Sequence, residues 1–288
     1  MKQSKCVTAL EFVRKLRGGS QPILVKASDG FLYVVKFQNS LQGPNILFNE
    51  AVGTELFRRS DLLVPEWRVI RVSREFITSN PDCWMETEHG LQRPKAGLCF
   101  GSRIVNKESD SAFETLAGTS FSRINNRKSF WTARILDVMG DNADNCQAIF
   151  LEGAAQGIDA YFIDHGHLFG GAHGTSSPQF RASEYLDARI YTDACQQDID
   201  KVTTTIQNID FKKLDRVIRG LPACWKKASA ISGFERFRRR ITDKKQLGDA
   251  VSFLFVMTEQ TKKGPQSAFV KMREQIRTQE AVSLRLAA

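Results

Sequence analysis

Long apolar runs are missing from this chain. None approaches the roughly 20 residues that a helix needs to cross a bilayer, and the start, Met1-Lys2-Gln3-Ser4-Lys5-Cys6, lacks the apolar core of a signal peptide. The expected location is the cytoplasm, with no membrane partner. Paired cysteines are missing too. Cys6, Cys83, Cys99, Cys146, Cys195 and Cys224 contain no Cys-x-x-Cys pair, which argues against a structural zinc site and a dense disulfide framework. They read as reduced thiols, with Cys146 the one that falls among candidate catalytic residues. No internal repeat is visible. What the chain does have is bulk: 288 residues at 42% hydrophobic content suffice for one large or two small cores, so disorder is not the reading.

The formal charge of +9 arises from 41 basic and 32 acidic residues, with basic clusters at Arg58-Arg59, Lys226-Lys227, Arg236 to Arg240 with Lys244-Lys245, and Lys262-Lys263. A solvated helix face accounts for such clusters. The other reading is an acidic partner, RNA included, drawn by counterion release.

The chemistry concentrates in Gly140-Asp141-Asn142-Ala143-Asp144-Asn145-Cys146-Gln147, followed by Ala148 to Leu151, a turn, and Tyr161-Phe162-Ile163-Asp164-His165-Gly166. This pattern predicts a hairpin with Asp144 and Asp164 at its ends. Phosphoryl transfer uses one carboxylate to orient the attacking hydroxyl and another to hold the magnesium that bridges ATP phosphates. Upstream, Ile23 to Ala27, Ser28-Asp29-Gly30 and Phe31 to Phe37 predict a hairpin, since Asp-Gly between alternating apolar runs favours a tight turn. Its second strand puts Phe31, Tyr33, Val35 and Phe37 on one face and Leu32, Val34 and Lys36 on the other. Before it, Arg17-Gly18-Gly19-Ser20 has glycines whose missing Cβ lets backbone N–H groups approach phosphates. After it, Ile46 to Arg59 has helical spacing, with Glu50 beside the apolar stripe Phe48, Val52 and Leu56. A strand lysine held by a glutamate of the next helix is the protein-kinase arrangement for nucleotide phosphates.

Read singly, Lys36 is a solvent-facing strand lysine, and Asp144 and Asp164 are turn formers. Asp141 and Asn142 read as turn-shaping residues. His165, His167 and His173 lie near an aspartate, but their spacing does not complete a tetrahedral zinc set.

Along the chain, Glu11 to Leu16 is expected to be helical, Trp67 to Val72 and Gly97 to Val105 to be strands, and Thr78 to Lys95 to be a surface insertion. A helix from Ser129 would deliver the Asp144 loop. Leu168 to Pro178, rich in glycine and serine, occupies the position of an activation segment and is expected to be mobile. Helices are expected around Ser183 to Ala194, Cys195 to Asn208, Phe211 to Gly220, Leu221 to Gly233 and Lys245 to Gln260.

With these motifs in order, the chain resembles the HipA-like kinases, compact bacterial proteins with a motif close to Gly-Asn-Ala-Asp-x-x-Gln. The matching residues are Val34-Val35-Lys36-Phe37, Asn49-Glu50, Leu63-Val64-Pro65, Gly97 to Arg103, Asn142-Ala143-Asp144 with Gln147, and Phe162-Ile163-Asp164. The resemblance implies an α+β, bilobal protein-kinase-like fold, with residues 1–105 as a strand-rich lobe and 106–288 as a mainly helical one. It implies ATP and Mg2+ as cofactors. Gly18, Gly19, Ser20, Lys36 and Glu50 would form the phosphate end of the nucleotide site. Phe100 and Ser102 belong to Leu98 to Arg103, read as the interlobe hinge whose backbone faces the adenine. Asp144 and Lys36 would be catalytic, and Gln147 and Asp164 would hold the metal. Two departures stand out: Ile149 occupies the position five after Asp144 where the family carries asparagine, and Asp164-His165-Gly166 replaces Asp-Phe-Gly. Three readings follow. The first is a phosphotransferase acting on a hydroxyl of a protein or another acceptor. The second is a nucleotide-binding pseudokinase or scaffold, and the third a basic RNA- or protein-binding module. The sequence leaves the oligomeric state open.

Overall fold

The computed structural model describes residues 6–105, 111–114, 116–144, 146–152, 157–175, 185, 190–191 and 194–262. Five strands close a barrel in the order β1-β2-β3-β7-β4: β1 (Val7–Lys15), β2 (Ile23–Ala27), β3 (Leu32–Lys36), β4 (Trp67–Val72) and β7 (Gly97–Arg103). Neighbours are antiparallel except at the closure, where β1 runs parallel to β4 through Val7↔Ile70 and Thr8↔Arg71. Strand alternation sends Tyr33, Val35, Ile70, Val72 and Cys99 into the barrel interior, where all are buried. Gly101 belongs to this inner face because a Cβ there would sit 2.4 Å from Ile70.

Helix α1 (Ile46–Arg58) packs under the barrel, and α2 (Arg74–Ser79) with the small hairpin β5 (Met85–Thr87) and β6 (Gly90–Gln92) covers one end. The stretch expected as a surface insertion, Thr78 to Lys95, thus takes part in the core, since Cys83 and Met85 are buried in the barrel cluster beside Phe76 and Ile77 of α2. The expected helix at Glu11 to Leu16 is strand β1. Two register shifts against β2, at Ala9/Glu11 and Phe12/Arg14, skip Leu10 and Val13 and break the two-residue alternation; with Leu16, these residues follow a three-residue spacing in the sequence that imitates a helix.

A second, larger core joins the outer face of the barrel (Trp67, Val69, Phe100) to the helical half. There a three-stranded sheet runs β10-β9-β8, from β10 (Ile158–Ile163), β9 (Gln147–Glu152) and β8 (Ser111–Phe113). It leans on α3 (Ser129–Met139) through Phe130, whose ring meets Phe162 at 5.0 Å and Tyr185 at 5.4 Å. The remaining helices are α4 (Gln196–Gln207), α5 (Phe211–Gly220), α6 (Ala228–Thr242) and α7 (Lys244–Lys262). The helix expected over Leu221 to Gly233 is divided: Pro222 opens a single 3-10 turn, Ala223–Trp225, and α6 starts afresh at Ala228. Gly233 lies inside α6 rather than ending a helix, because a Cβ there would come 2.2 Å from the Phe169 carbonyl. The helix expected at Ser183 to Ala194 lies largely outside the described residues.

Candidate active site

Lys36 closes β3 on the face opposite the barrel interior and is buried. Its ammonium lies 2.5 Å from Glu50 Oε1 and 2.7 Å from Asp164 Oδ1. Three elements therefore meet at one nitrogen: β3, the first turns of α1, and the residue following β10. Burial disfavours a charged lysine, but the two carboxylates outweigh it and raise the Lys36 pKa. Burial pushes Glu50 up to about 7 against the pull of Lys36, with Asp164 adding to the rise. Burial acts the same way on Asp164, yet the charge and hydrogen bond of Lys36 prevail and hold it down at about 2. Asp164 is the open member of the trio, with 28% of its side chain exposed against 3% for Glu50.

The helix carrying Glu50 is fastened to the segment carrying Asp164. Asn49 Nδ2 donates to the carbonyls of Gly166 at 2.8 Å, Leu168 at 2.8 Å and Gly171 at 3.3 Å. The His165 N–H donates to Glu50 Oε2 at 3.3 Å, and the His165 ring packs 4.2 Å from Phe57. Gly53 makes the approach possible, since a Cβ there would lie 2.5 Å from His165 Cβ. Burial pushes His165 down to about 3 despite the neighbouring carboxylate, so it packs as a neutral ring. The expectation of a mobile segment fails for residues 168–172: Leu168, Phe169 and Ala172 are buried, and Asn45 N–H donates to Ala172 O at 3.0 Å. Residues 176–178 of that stretch lie outside the described residues.

The Asp144 loop follows α3. Asp141 takes a left-handed φ of 48° and is held by Arg240 of α6 at 2.6 Å. Ala143 N–H donates to His167 O at 3.1 Å, and His167 Nε2 stands 3.8 Å from Asp144 Oδ2. The β9–β10 register pairs Gln147 with Ile163, so Asp144 and Asp164 flank the same end of the hairpin. Gln147 Nε2 donates to Asp164 Oδ2 at 3.2 Å. Ile149, opposite Tyr161 inside the sheet, offers no amide. Among the described residues no three His, Cys, Asp or Glu side chains form a metal-binding group.

The other sequence-predicted residues are placed less centrally. Gly18 (φ 126°), Gly19 and Ser20 form the β1–β2 turn; Ser20 is buried, and a Cβ on Gly19 would sit 2.8 Å from the Gln42 amide. Phe100 pairs with Lys36 and Ser102 with Val34, so both share the Lys36 face of the sheet. They are not hinge residues, however. Strand β7 pairs with β3 on one side and β4 on the other, and Phe100 is buried against the Trp67 ring at 5.9 Å. Its backbone is spent on the sheet. Sequence reasoning gave Asn49 no role. The signal was present: asparagine is a poor residue for a helix interior, and here it sits next to Glu50.

A barrel-and-helix fold with a lysine, a helix glutamate and a hairpin-end aspartate at one point defines the class of protein-kinase-like folds. Residues 10–236 match the profile described as HipA-like kinase, and the chain belongs to that family. Family and fold place it among kinase-type phosphotransferases. It is similar to the proinflammatory kinase CtkA of Helicobacter pylori, at 13% identity and a TM-score of 0.55, covering 86% of this chain and 99% of that one. The Golgi casein kinase aligns with a TM-score of 0.45 at 11% identity, covering 88% of this chain and 73% of that one. Its Mn/ADP-bound form aligns at 0.43 and 12%, with the same coverage. No curated protein sequence matches the chain. Among the described residues no helix is long and apolar enough to cross a membrane.

Proposed function

We propose that this protein is an ATP- and magnesium-dependent kinase that transfers the γ-phosphate to a hydroxyl of a protein or another acceptor in the cytoplasm. The observation carrying this reading is the Lys36 ammonium held between Glu50 and Asp164 beside the Asp144 loop. Lys36 neutralises phosphate oxygens, Glu50 fixes its reach, and Asp144 orients the acceptor hydroxyl and takes its proton. Gly18 and Gly19 let the β1–β2 turn close over the phosphates. The residues present fit a divalent cation: with both carboxylates ionised the trio keeps net negative charge, and its exposed member is Asp164. Asp164 and Gln147 would hold magnesium, which when bound offsets the charge of the ATP phosphates.

Calorimetry with ATP, with and without magnesium, tests the reading. Wild type should bind in a magnesium-dependent manner and Asp164→Ala should lose that dependence, while Asp144→Ala should abolish transfer but keep binding. No binding by the folded wild type would reject it. A second reading, nucleotide binding without turnover, draws support from Ile149, which leaves the second amide position to Gln147. Binding without transfer to any hydroxyl acceptor would favour it. Salt-sensitive polyanion binding with no response to ATP would favour the basic RNA- or protein-binding module instead.

A further inference from the structure

Asp137, on the last turn of α3, is 2% exposed. The groups bonded to its carboxylate are neutral: Asn142 Nδ2 donates at 2.8 Å and Tyr185 OH at 2.5 Å, with the Cys146 side chain as a third. The Asp137 backbone carbonyl also accepts from Asn142 N–H at 2.9 Å. A buried carboxylate with no cation bonded to it among the described residues is costly to the fold. What it holds is the loop of the proposed catalytic aspartate, because Asn142 Oδ1 accepts from the Asp144 N–H at 3.1 Å.

We propose that Asp137 is a positioning residue for Asp144, acting through the Asn142 amide, and that Tyr185 makes this positioning depend on the chain beyond the glycine-rich segment. The inference rests on the kinase reading. The Asn142 amide has a single workable orientation: turned over, its oxygen would face the Asp137 carboxylate and its NH2 would face the Asp144 N–H. It thus connects α3 to the catalytic loop in one direction only. Asp141 is held separately by Arg240, so the loop is fixed at two adjacent residues from two different helices, α3 and α6, one residue buried and one partly exposed. Tyr185 closes the arrangement. Its ring packs on Phe130 and Phe162, 5.4 and 5.2 Å between centroids, while its hydroxyl reaches Asp137. The chain after the 164–175 segment therefore has a direct bond to the group that places Asp144.

The test uses the full chain with magnesium and ATP, comparing Asn142→Asp, Tyr185→Phe and Asp137→Asn. Asn142→Asp sets carboxylate against carboxylate; Asp137→Asn keeps an oxygen for Asn142 and is the conservative rescue. Expected is a loss of about 100-fold in kcat for Asn142→Asp, a smaller loss for Tyr185→Phe and the smallest for Asp137→Asn, with the KM for ATP unchanged. Wild-type kcat in Asn142→Asp and Tyr185→Phe would overturn the proposal, as would kcat and ATP affinity falling together. If wild type transfers no phosphate, the kinase reading has failed and hydrogen exchange at the Asp144 amide decides the rest. Faster exchange in Tyr185→Phe supports the relay, and unchanged exchange overturns it.

Discussion

Glu50 and Asp164 share one counter-ion, the Lys36 ammonium, at 2.5 and 2.7 Å. Removing that ammonium leaves two carboxylates facing each other with nothing between them. Lys36→Met should therefore destabilise the fold by about 3–5 kcal/mol, as expected when one partner of a buried ion pair is lost. Adding Glu50→Gln removes the orphaned buried charge, and the double variant should recover more than half of the loss. Urea unfolding of the three proteins reads this directly. A double variant no better than Lys36→Met would show that Glu50 is not held by the lysine charge.

Gly53 sets a second constraint, between α1 and the Asp164 segment. Alanine is the better helix former by about 1 kcal/mol, so on propensity alone Gly53→Ala should stabilise. Its Cβ would lie 2.5 Å from His165 Cβ and 2.8 Å from Leu168 Cδ1, both in the buried interior. Overpacking of this kind costs about 1–3 kcal/mol, and the contact should win. A lower melting temperature, together with weaker magnesium-dependent ATP binding, is the expected outcome. A higher melting temperature would mean that α1 and the segment have room to separate.

The parts of the site that were legible in the sequence are those written in local pattern. Lys36 could be placed because β3 alternates, Glu50 because α1 has a clear apolar stripe, and Asp164 because it follows a strand of a hairpin. The helix mistaken at Glu11 to Leu16 failed for a pairing reason, since the register shifts that make it a strand belong to β2 as much as to β1. Leu98 to Arg103 was misread as hinge because nothing local tells a central strand from the connection beyond it. The glycine-rich stretch after Asp164 looked mobile by composition. Its order comes from Asn49, more than a hundred residues away.

That last contact makes a prediction of its own. Asn49→Leu keeps the approximate volume and removes the donor for three carbonyls, those of Gly166, Leu168 and Gly171. Leaving buried acceptors unpaired costs about 1–3 kcal/mol. The loss should appear first as local opening rather than global unfolding. Limited proteolysis should cut within 164–175 in the variant under conditions where wild type resists, with secondary structure unchanged. Equal resistance would show that burial of Leu168 and Phe169 alone holds the segment.

Asp137 should also leave a mark on the pH dependence of stability. Burial pushes its carboxyl from the ordinary 3.8 up to about 6, although bonds from Tyr185, Asn142 and Cys146 favour the ionised form. Between those two values the folded chain holds a proton that the unfolded chain has released. The stability linked to this group is therefore complete below about pH 4 and is lost as the pH rises through 6, by roughly 3 kcal/mol in all. Asp137→Asn carries no charge at any pH and loses nothing over that range. Urea midpoints at pH 4.5 and pH 7.5 should show the variant gaining on wild type as the pH rises. A difference that stays constant would place the Asp137 pKa near its ordinary value. The expected trend would instead mean that wild type keeps, at neutral pH, a buried charge that its asparagine counterpart avoids. Stability alone gives no reason to retain such a charge, whereas a carboxylate supplies two acceptor oxygens, one for Asn142 and one for Tyr185, of which asparagine keeps a single one.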